Sequence, residues 1–199
     1  MYHECIFRTT IDIDIDRKGG SVMGKKWYSS CGWWAMFVLC VLCLAACQSE
    51  SEPVRKGGPL MKGDKAPDFA AKDLDGNVIV LSSLDGKPVV LRFWETNCRF
   101  CRADTPIFNS YFEKYREKGL HVIYVSSFYE NEAAVKDFIN LLGVPFPVVM
   151  DKGAKLADLY SVRVYPQTFM IGPDRTILAN IFGGVGEAEF TEILGDYLQ

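Results

Sequence analysis

Downstream of Gly63 the chain switches repeatedly between two hydrophobic rhythms. After Pro88, Val89-Val90-Leu91 and Phe93-Trp94 form a nearly continuous apolar run, as in a central strand buried on both faces of a sheet. Over residues 98–118 the apolar positions fall instead at helical spacing, with Ile107, Phe108, Tyr111, Phe112 and Tyr115 on one face. Pro106 lies inside that helix, where its missing N–H predicts a kink. A strand over 121–125 follows, then a helix opening near Asn131, in which Val135, Phe138, Ile139 and Leu142 repeat at i, i+3, i+4 and i+7. Residues 146–150 read as another buried strand and 154–160 as a short helix. Two further strands, 168–171 and 177–182, are predicted to join through a turn at Gly172-Pro173-Asp174. The final helix places Phe190, Ile193, Leu194, Tyr197 and Leu198 on one face, and 69–81 reads as an early hairpin turning at Asp75-Gly76-Asn77.

Strands alternating with helices predict an α/β class: a central mixed, mostly parallel sheet flanked by helices, ending in an antiparallel pair. No repeat or low-complexity segment interrupts residues 63–199, which are expected to form one domain and to act as a monomer. Hydrophobic content of 49% with 24% charged residues is that of a globular chain rather than a disordered one. A net charge of −3 removes the electrostatic motive for binding nucleic acid, which is not expected as a partner.

The leader is organised differently. Lys25 and Lys26 precede an uncharged run from Trp33 to Ala46. That run is short for a membrane span of about 20 residues but fits the apolar core of a secretory signal. It ends in Leu44-Ala45-Ala46-Cys47, which resembles a bacterial lipobox, where cleavage precedes the cysteine and the thiol carries diacylglycerol. The expectation is a lipoprotein signal peptide over 23–46, lipidation at Cys47, and a polar Gly- and Pro-bearing tether over 47–62. An uncleaved anchor helix is the alternative, and both place the following residues outside the cytoplasm, tethered to a membrane. Residues 1–22, with Glu4 and an alternating Ile-Asp stretch ahead of the basic pair, fit no signal; Met23 is the expected start.

Cysteine placement separates leader from domain. Cys5, Cys31, Cys40, Cys43 and Cys47 precede residue 50, and only Cys98 and Cys101 follow it. An odd total clustered in this way is not a disulfide framework. Cys98-Arg99-Phe100-Cys101 stands where the buried strand gives way to the first helix. Unpaired N–H groups and the helix dipole favour an anion there, and the thiolate is the form that attacks disulfides. Arg99 and Arg102 add positive charge, and Cys101 lies one turn on, placed to resolve a mixed disulfide formed at Cys98. The competing readings are a structural disulfide or half of a zinc site. Zinc usually takes four ligands, and His121 is the sole histidine beyond residue 50, so no metal is expected. Gly183-Gly184-Val185-Gly186 lacks the strand–turn–helix context of a phosphate loop and reads as a turn allowing close backbone approach.

The segment FWETNCRFCRADTP, from Phe93 to Pro106, resembles the active-site segment of the thioredoxin superfamily and is most similar to its membrane-anchored TlpA/ResA branch, over roughly residues 63–199. The resemblance implies a thioredoxin fold with an N-terminal hairpin and one extra helix–strand insertion, matched here by 131–150. Pro106 falls where the family carries a helix proline. Val164-Tyr165-Pro166-Gln167-Thr168-Phe169 resembles the cis-proline loop. That likeness implies a cis Pro166 beside the sulfurs, with Tyr165 docking the substrate chain and Trp94 lending an edge to the same surface. It further implies a thiol–disulfide oxidoreductase facing the periplasm or another extracytoplasmic space. The redox-active cysteine pair would serve without a cofactor. Protein disulfides or thiols would be its substrates, and a membrane thiol-electron donor would regenerate it. A reductase role is implied, such as keeping apocytochrome haem-site cysteines reduced in cytochrome c maturation.

Two positions depart from the family pattern. Asn97 stands where Trp commonly precedes the first cysteine, and Arg92 stands where thioredoxin carries a buried Asp. The proton acceptor for Cys101 is therefore expected at Asp104, where the branch often has Glu, or at Glu95. Two alternatives share the fold. A peroxiredoxin-like peroxide reductase typically uses one cysteine in a Thr-x-x-Cys setting, whereas Thr96 and Asn97 directly precede Cys98. A copper-delivery protein would want one more residue between the cysteines and a histidine near the site.

Overall fold

The computed structural model describes residues 58–199. The extension 1–22, the signal segment 23–46, Cys47 and most of the tether lie outside the described residues. The last residues assigned to the tether, 58–62, are docked on the domain. The Leu60 carbonyl accepts from Asn180 Nδ2 at 2.8 Å, the Gly58 carbonyl accepts from Ser161 Oγ at 3.2 Å, and Leu60 packs against the core.

The hairpin forms as the pattern predicts, with β1 (Ala70–Lys72) antiparallel to β2 (Val78–Val80). At its turn the Asp73 carboxylate accepts from the backbone N–H groups of Asp75 and Asn77 at 3.0 and 2.8 Å, and Gly76 takes φ 87°, a conformation a side chain would strain. Next come β3 (Val89–Trp94), α1 (Arg99–Tyr115), β4 (His121–Ser126), α2 (Glu132–Leu142) and β5 (Val148–Met150). The chain closes through α3 (Lys155–Leu159), β6 (Gln167–Ile171), β7 (Ile177–Phe182) and α4 (Glu187–Leu194). Asn131 caps α2 through its side chain, accepting from Ala134 N at 2.8 Å, which is why that helix opens where it does. Helix α1 continues through Pro106, whose absent N–H removes only one of its hydrogen bonds.

The five-stranded sheet runs β5-β4-β3-β6-β7. Its β3–β4 and β4–β5 pairings are parallel and its β3–β6 and β6–β7 pairings antiparallel. The sheet is mixed, and its antiparallel share is larger than strand–helix alternation suggests, because β6 returns beside the central strand. Alternation along β3 divides the core. Val89, Leu91 and Phe93 face the hairpin and α3 side, with Phe69, Tyr160 and Phe169. Val90 and Trp94 face the α1, α2 and α4 side, with Phe108, Tyr124, Phe138 and Phe190. Between Val90 and Trp94, and therefore on the same face, stands Arg92.

Tyr197 corrects one expectation. A 3₁₀ turn, Gly195–Tyr197, succeeds α4, and its tighter winding carries Tyr197 off the buried stripe to 42% exposure while Phe190 and Leu194 stay inside. Among the described residues no helix is long and apolar enough to cross a membrane.

Candidate active site

Strand β3 delivers the chain to the end of the sheet, and α1 begins almost at once. Cys98 is the N-cap of α1, and its Sγ accepts from the Cys101 backbone N–H at 3.1 Å. It is half-buried, whereas Cys101, one turn inside, is fully buried. Neither is bridged. Burial, reinforced by the neighbouring Cys98, pushes the Cys101 thiol up to about 12; the Glu95 backbone and the Arg92 charge act against that rise. The pair is thus asymmetric: a reachable sulfur at the helix N-terminus, and a second one held behind it as a thiol.

The loop leading into Cys98 is clamped. Thr96 N donates to Glu130 Oε1 at 2.8 Å, and the Thr96 hydroxyl lies 3.0 and 2.9 Å from the two Glu130 carboxylate oxygens. Sequence reasoning missed Glu130, which lies 34 residues from Thr96 in an unpatterned loop and carries no local signal. The peptide bond between Tyr165 and Pro166 is cis. Pro166 is buried, and its carbonyl accepts from Gly183 N at 2.9 Å, so the glycine turn after β7 approaches the proline loop through backbone. Gly183 has φ 94° there, and Gly184 lies open enough that Asp104 and Phe100 approach within 3.7 Å of where a Cβ would stand. Tyr165 is half-buried, and burial raises its phenol above the ordinary value.

Two expectations change, those on Trp94 and Asp104. Trp94 has no exposed surface; it packs on Phe138 and Tyr124, with ring centroids 4.2 and 5.7 Å away, and offers no edge to a substrate chain. The reason is parity: Trp94 shares the helix-covered face of β3 with Val90. Asp104 is buried but is not an unoccupied proton acceptor. Its oxygens accept from Arg92 Nη2 at 2.8 and 2.7 Å, and Oδ2 also accepts from Val185 N at 2.9 Å. Burial raises the Asp104 carboxyl, with Arg92 and the Val185 amide opposing. Glu95 meets Cys101 through its backbone.

Arg99 and Arg102 do not face inward. Their guanidinium carbons lie 4.7 Å above the Phe100 ring and 5.3 Å above the Phe138 ring, and both residues are exposed. The buried cation against α1 is Arg92, held there by Asp104. Arg92 has no exposed surface, and Nη1 donates to Thr168 Oγ1 at 2.8 Å. Thr168 was legible only as part of a strand; its link to Arg92 follows from the β3–β6 register, which sets the two residues opposite one another. Among the described residues no group of three or more His, Cys, Asp or Glu is arranged to hold a metal ion. His121, at the start of β4, is half-buried.

Residues 62–180 match the AhpC/TSA family. The chain is 40% identical over 121 residues to a thiol-disulfide oxidoreductase ResA from Bacillus thuringiensis (strain Al Hakam), covering 61% of this chain and 69% of that protein. With a ResA from Bacillus cereus the identity is 39% over 137 residues, covering 69% of this chain and 76% of that protein. A crystal structure from Chlorobium tepidum, described as a putative thiol:disulfide interchange protein DsbE, superposes with a TM-score of 0.63 at 32% identity, covering 69% of this chain and 99% of that one.

Proposed function

Since this chain belongs to the AhpC/TSA family and is a thiol–disulfide oxidoreductase of the ResA type, we propose that it reduces protein disulfides outside the cytoplasm, with Cys98 attacking and Cys101 resolving. The observation that carries the proposal is the asymmetry of the pair, with a half-buried N-cap sulfur ahead of a fully buried one. The Cys98 thiolate attacks one sulfur of the substrate disulfide. A bond forms between Cys98 and that sulfur, and the other substrate sulfur leaves as a thiolate. Cys101, once deprotonated, attacks Cys98 Sγ, closing the Cys98–Cys101 disulfide and releasing the second substrate thiolate. The two protons lost by the enzyme thiols end on the two product thiols, and two electrons pass to the substrate.

In this reading the cis-proline loop, with Pro166 and Tyr165, is the docking edge for the substrate backbone. The haem-site cysteines of an apocytochrome, once oxidised to a disulfide, suit such a site, being carried on an unfolded chain. An oxidising compartment requires a membrane donor to return the enzyme to its dithiol state. The lipobox-like segment ending at Cys47 supports a lipid tether. In the deciding experiment, Cys98→Ser abolishes insulin disulfide reduction, and Cys101→Ser accumulates mixed disulfides whose captured proteins identify the substrate. Full activity in either variant overturns the mechanism.

A further inference from the structure

We infer that Arg92 is a positioning residue for the resolving step: its guanidinium, locked under the active-site helix by Asp104 and Thr168, supplies the positive charge that favours the Cys101 thiolate. The inference rests on the exchange reading above and specifies how the buried sulfur becomes reactive.

Arg92 is held from several sides. It has no exposed surface, Nη2 bridges both oxygens of Asp104 at 2.8 and 2.7 Å, and Nη1 donates to Thr168 Oγ1 at 2.8 Å. Its guanidinium carbon lies 4.5 Å from the centre of the Phe108 ring. Nε is buried without a protein partner, so one guanidinium donor is left uncommitted. An isolated arginine would not be stable in such a place; Asp104 is what makes it tenable. Asp104 in turn is fixed by the Val185 amide at 2.9 Å, which ties the guanidinium to α1, β6 and the turn before α4 together.

The resolving step needs a thiolate at a residue with no exposed surface, where the charged form is the disfavoured one. The groups that act there can be named element by element. From β3 comes Arg92, bonded to Asp104, which lies three residues after Cys101 on the same helix and is buried with it; from the loop before α1 come the Glu95 backbone, which favours the anion, and Cys98, which opposes it. Helix α1 contributes Asp104 and the Thr105 hydroxyl, which donates to the Cys101 carbonyl. Strand β4 contributes the Tyr124 phenol, held neutral by burial. From β6 comes the Thr168 hydroxyl. Arg99 and Arg102 are turned outward onto aromatic rings. Arg92 is therefore the inward-facing cation, and Asp104 limits its effect by neutralising part of it.

This arrangement makes a signed prediction that a packing role does not. The full chain in detergent, reduced, is mixed with excess glutathione disulfide and acid-quenched at intervals. Proteolytic peptides then report the Cys98–glutathione adduct and the Cys98–Cys101 disulfide separately. In Arg92→Met, and in Arg92→Met/Asp104→Leu where no charge is left unpaired, conversion of adduct to disulfide slows about tenfold, equivalent to one unit in the ionisation of the attacking thiol. Arg92→Lys restores most of the rate. Asp104→Asn, which leaves the guanidinium uncompensated, accelerates conversion. Equal conversion rates in wild type and the double variant overturn the inference. So does a slowing by Asp104→Asn, which would assign Asp104 as the base. If the wild type forms no Cys98 adduct, the exchange reading itself falls and takes the inference with it.

Discussion

Nη2 of Arg92 bridges both carboxylate oxygens of Asp104, at 2.8 and 2.7 Å, across the junction between the central strand and the active-site helix. The Arg92 side chain is 0% exposed and that of Asp104 7%. Removing one member of such a pair strands a buried charge, at a cost of about 3–5 kcal/mol, whereas removing both in favour of apolar groups of similar volume is often neutral. Urea unfolding should therefore show Arg92→Met as strongly destabilised and Arg92→Met/Asp104→Leu as recovering most of the loss. Equal destabilisation of the two variants would mean that the pair is not energetically coupled.

Trp94 is a core residue and not a substrate contact. Trp94→Phe keeps an aromatic ring against Phe138 and removes a buried Nε1 donor that lacks a protein partner. The insulin reduction rate should stay within about twofold of wild type, while Trp94→Ala should cost about 3–5 kcal/mol in denaturant unfolding. A large loss of rate in a fully folded Trp94→Phe protein would return this ring to the docking surface.

Glu130 holds the loop ahead of Cys98 through Thr96. Glu130→Ala leaves a buried Thr96 amide and hydroxyl without their acceptor, a loss of about 1–3 kcal/mol. It should also slow attack by Cys98 on glutathione disulfide. Glu130→Gln, which retains an oxygen acceptor, should fall between the two. An unchanged attack rate in Glu130→Ala would show that the clamp does not position the cysteine.

His121 makes stability depend on pH. Burial, with Lys87 nearby, lowers its pKa from 6.5. Between the lowered folded value and 6.5 the unfolded chain binds more protons, so stability rises with pH through that window and is lost as pH falls through it. His121 is the only histidine from residue 58 onward. Its ring protons, followed by NMR, should titrate below 6.5, and His121→Gln should flatten the pH dependence of the unfolding midpoint in that window. A titration above 6.5 would reverse the sign.

Cys47 is the expected site of lipid attachment. Metabolic labelling with a fatty acid should mark the wild type and not Cys47→Ser, and the variant should move from the membrane fraction to the soluble one. Retention of label in Cys47→Ser would exclude this residue as the acceptor.

Much of the domain is legible in the order of residues because its signals are local. The apolar run around Val89–Trp94, the i, i+3, i+4 stripe of α2, the Asn131 cap and the Asp75-Gly76-Asn77 turn each depend on neighbours within a few positions. Cys98 and Cys101 belong to this class, since a Cys-x-x-Cys where a strand ends and a helix begins is visible from neighbouring residues alone. The cis Pro166 was implied only through family resemblance. Only the tertiary structure decided which cation is buried against the active-site helix. Arg99 and Arg102 are neighbours of Cys101 in sequence yet turn outward, while Arg92 reaches its position through strand parity, the β3–β6 register opposite Thr168, and Asp104 one helix away. The Glu130 clamp and the burial of Trp94 are of the same kind. Electrostatic and packing interactions depend on distance in space, and residues 12, 34 or 76 positions apart acquire that distance only when the sheet and helices have closed.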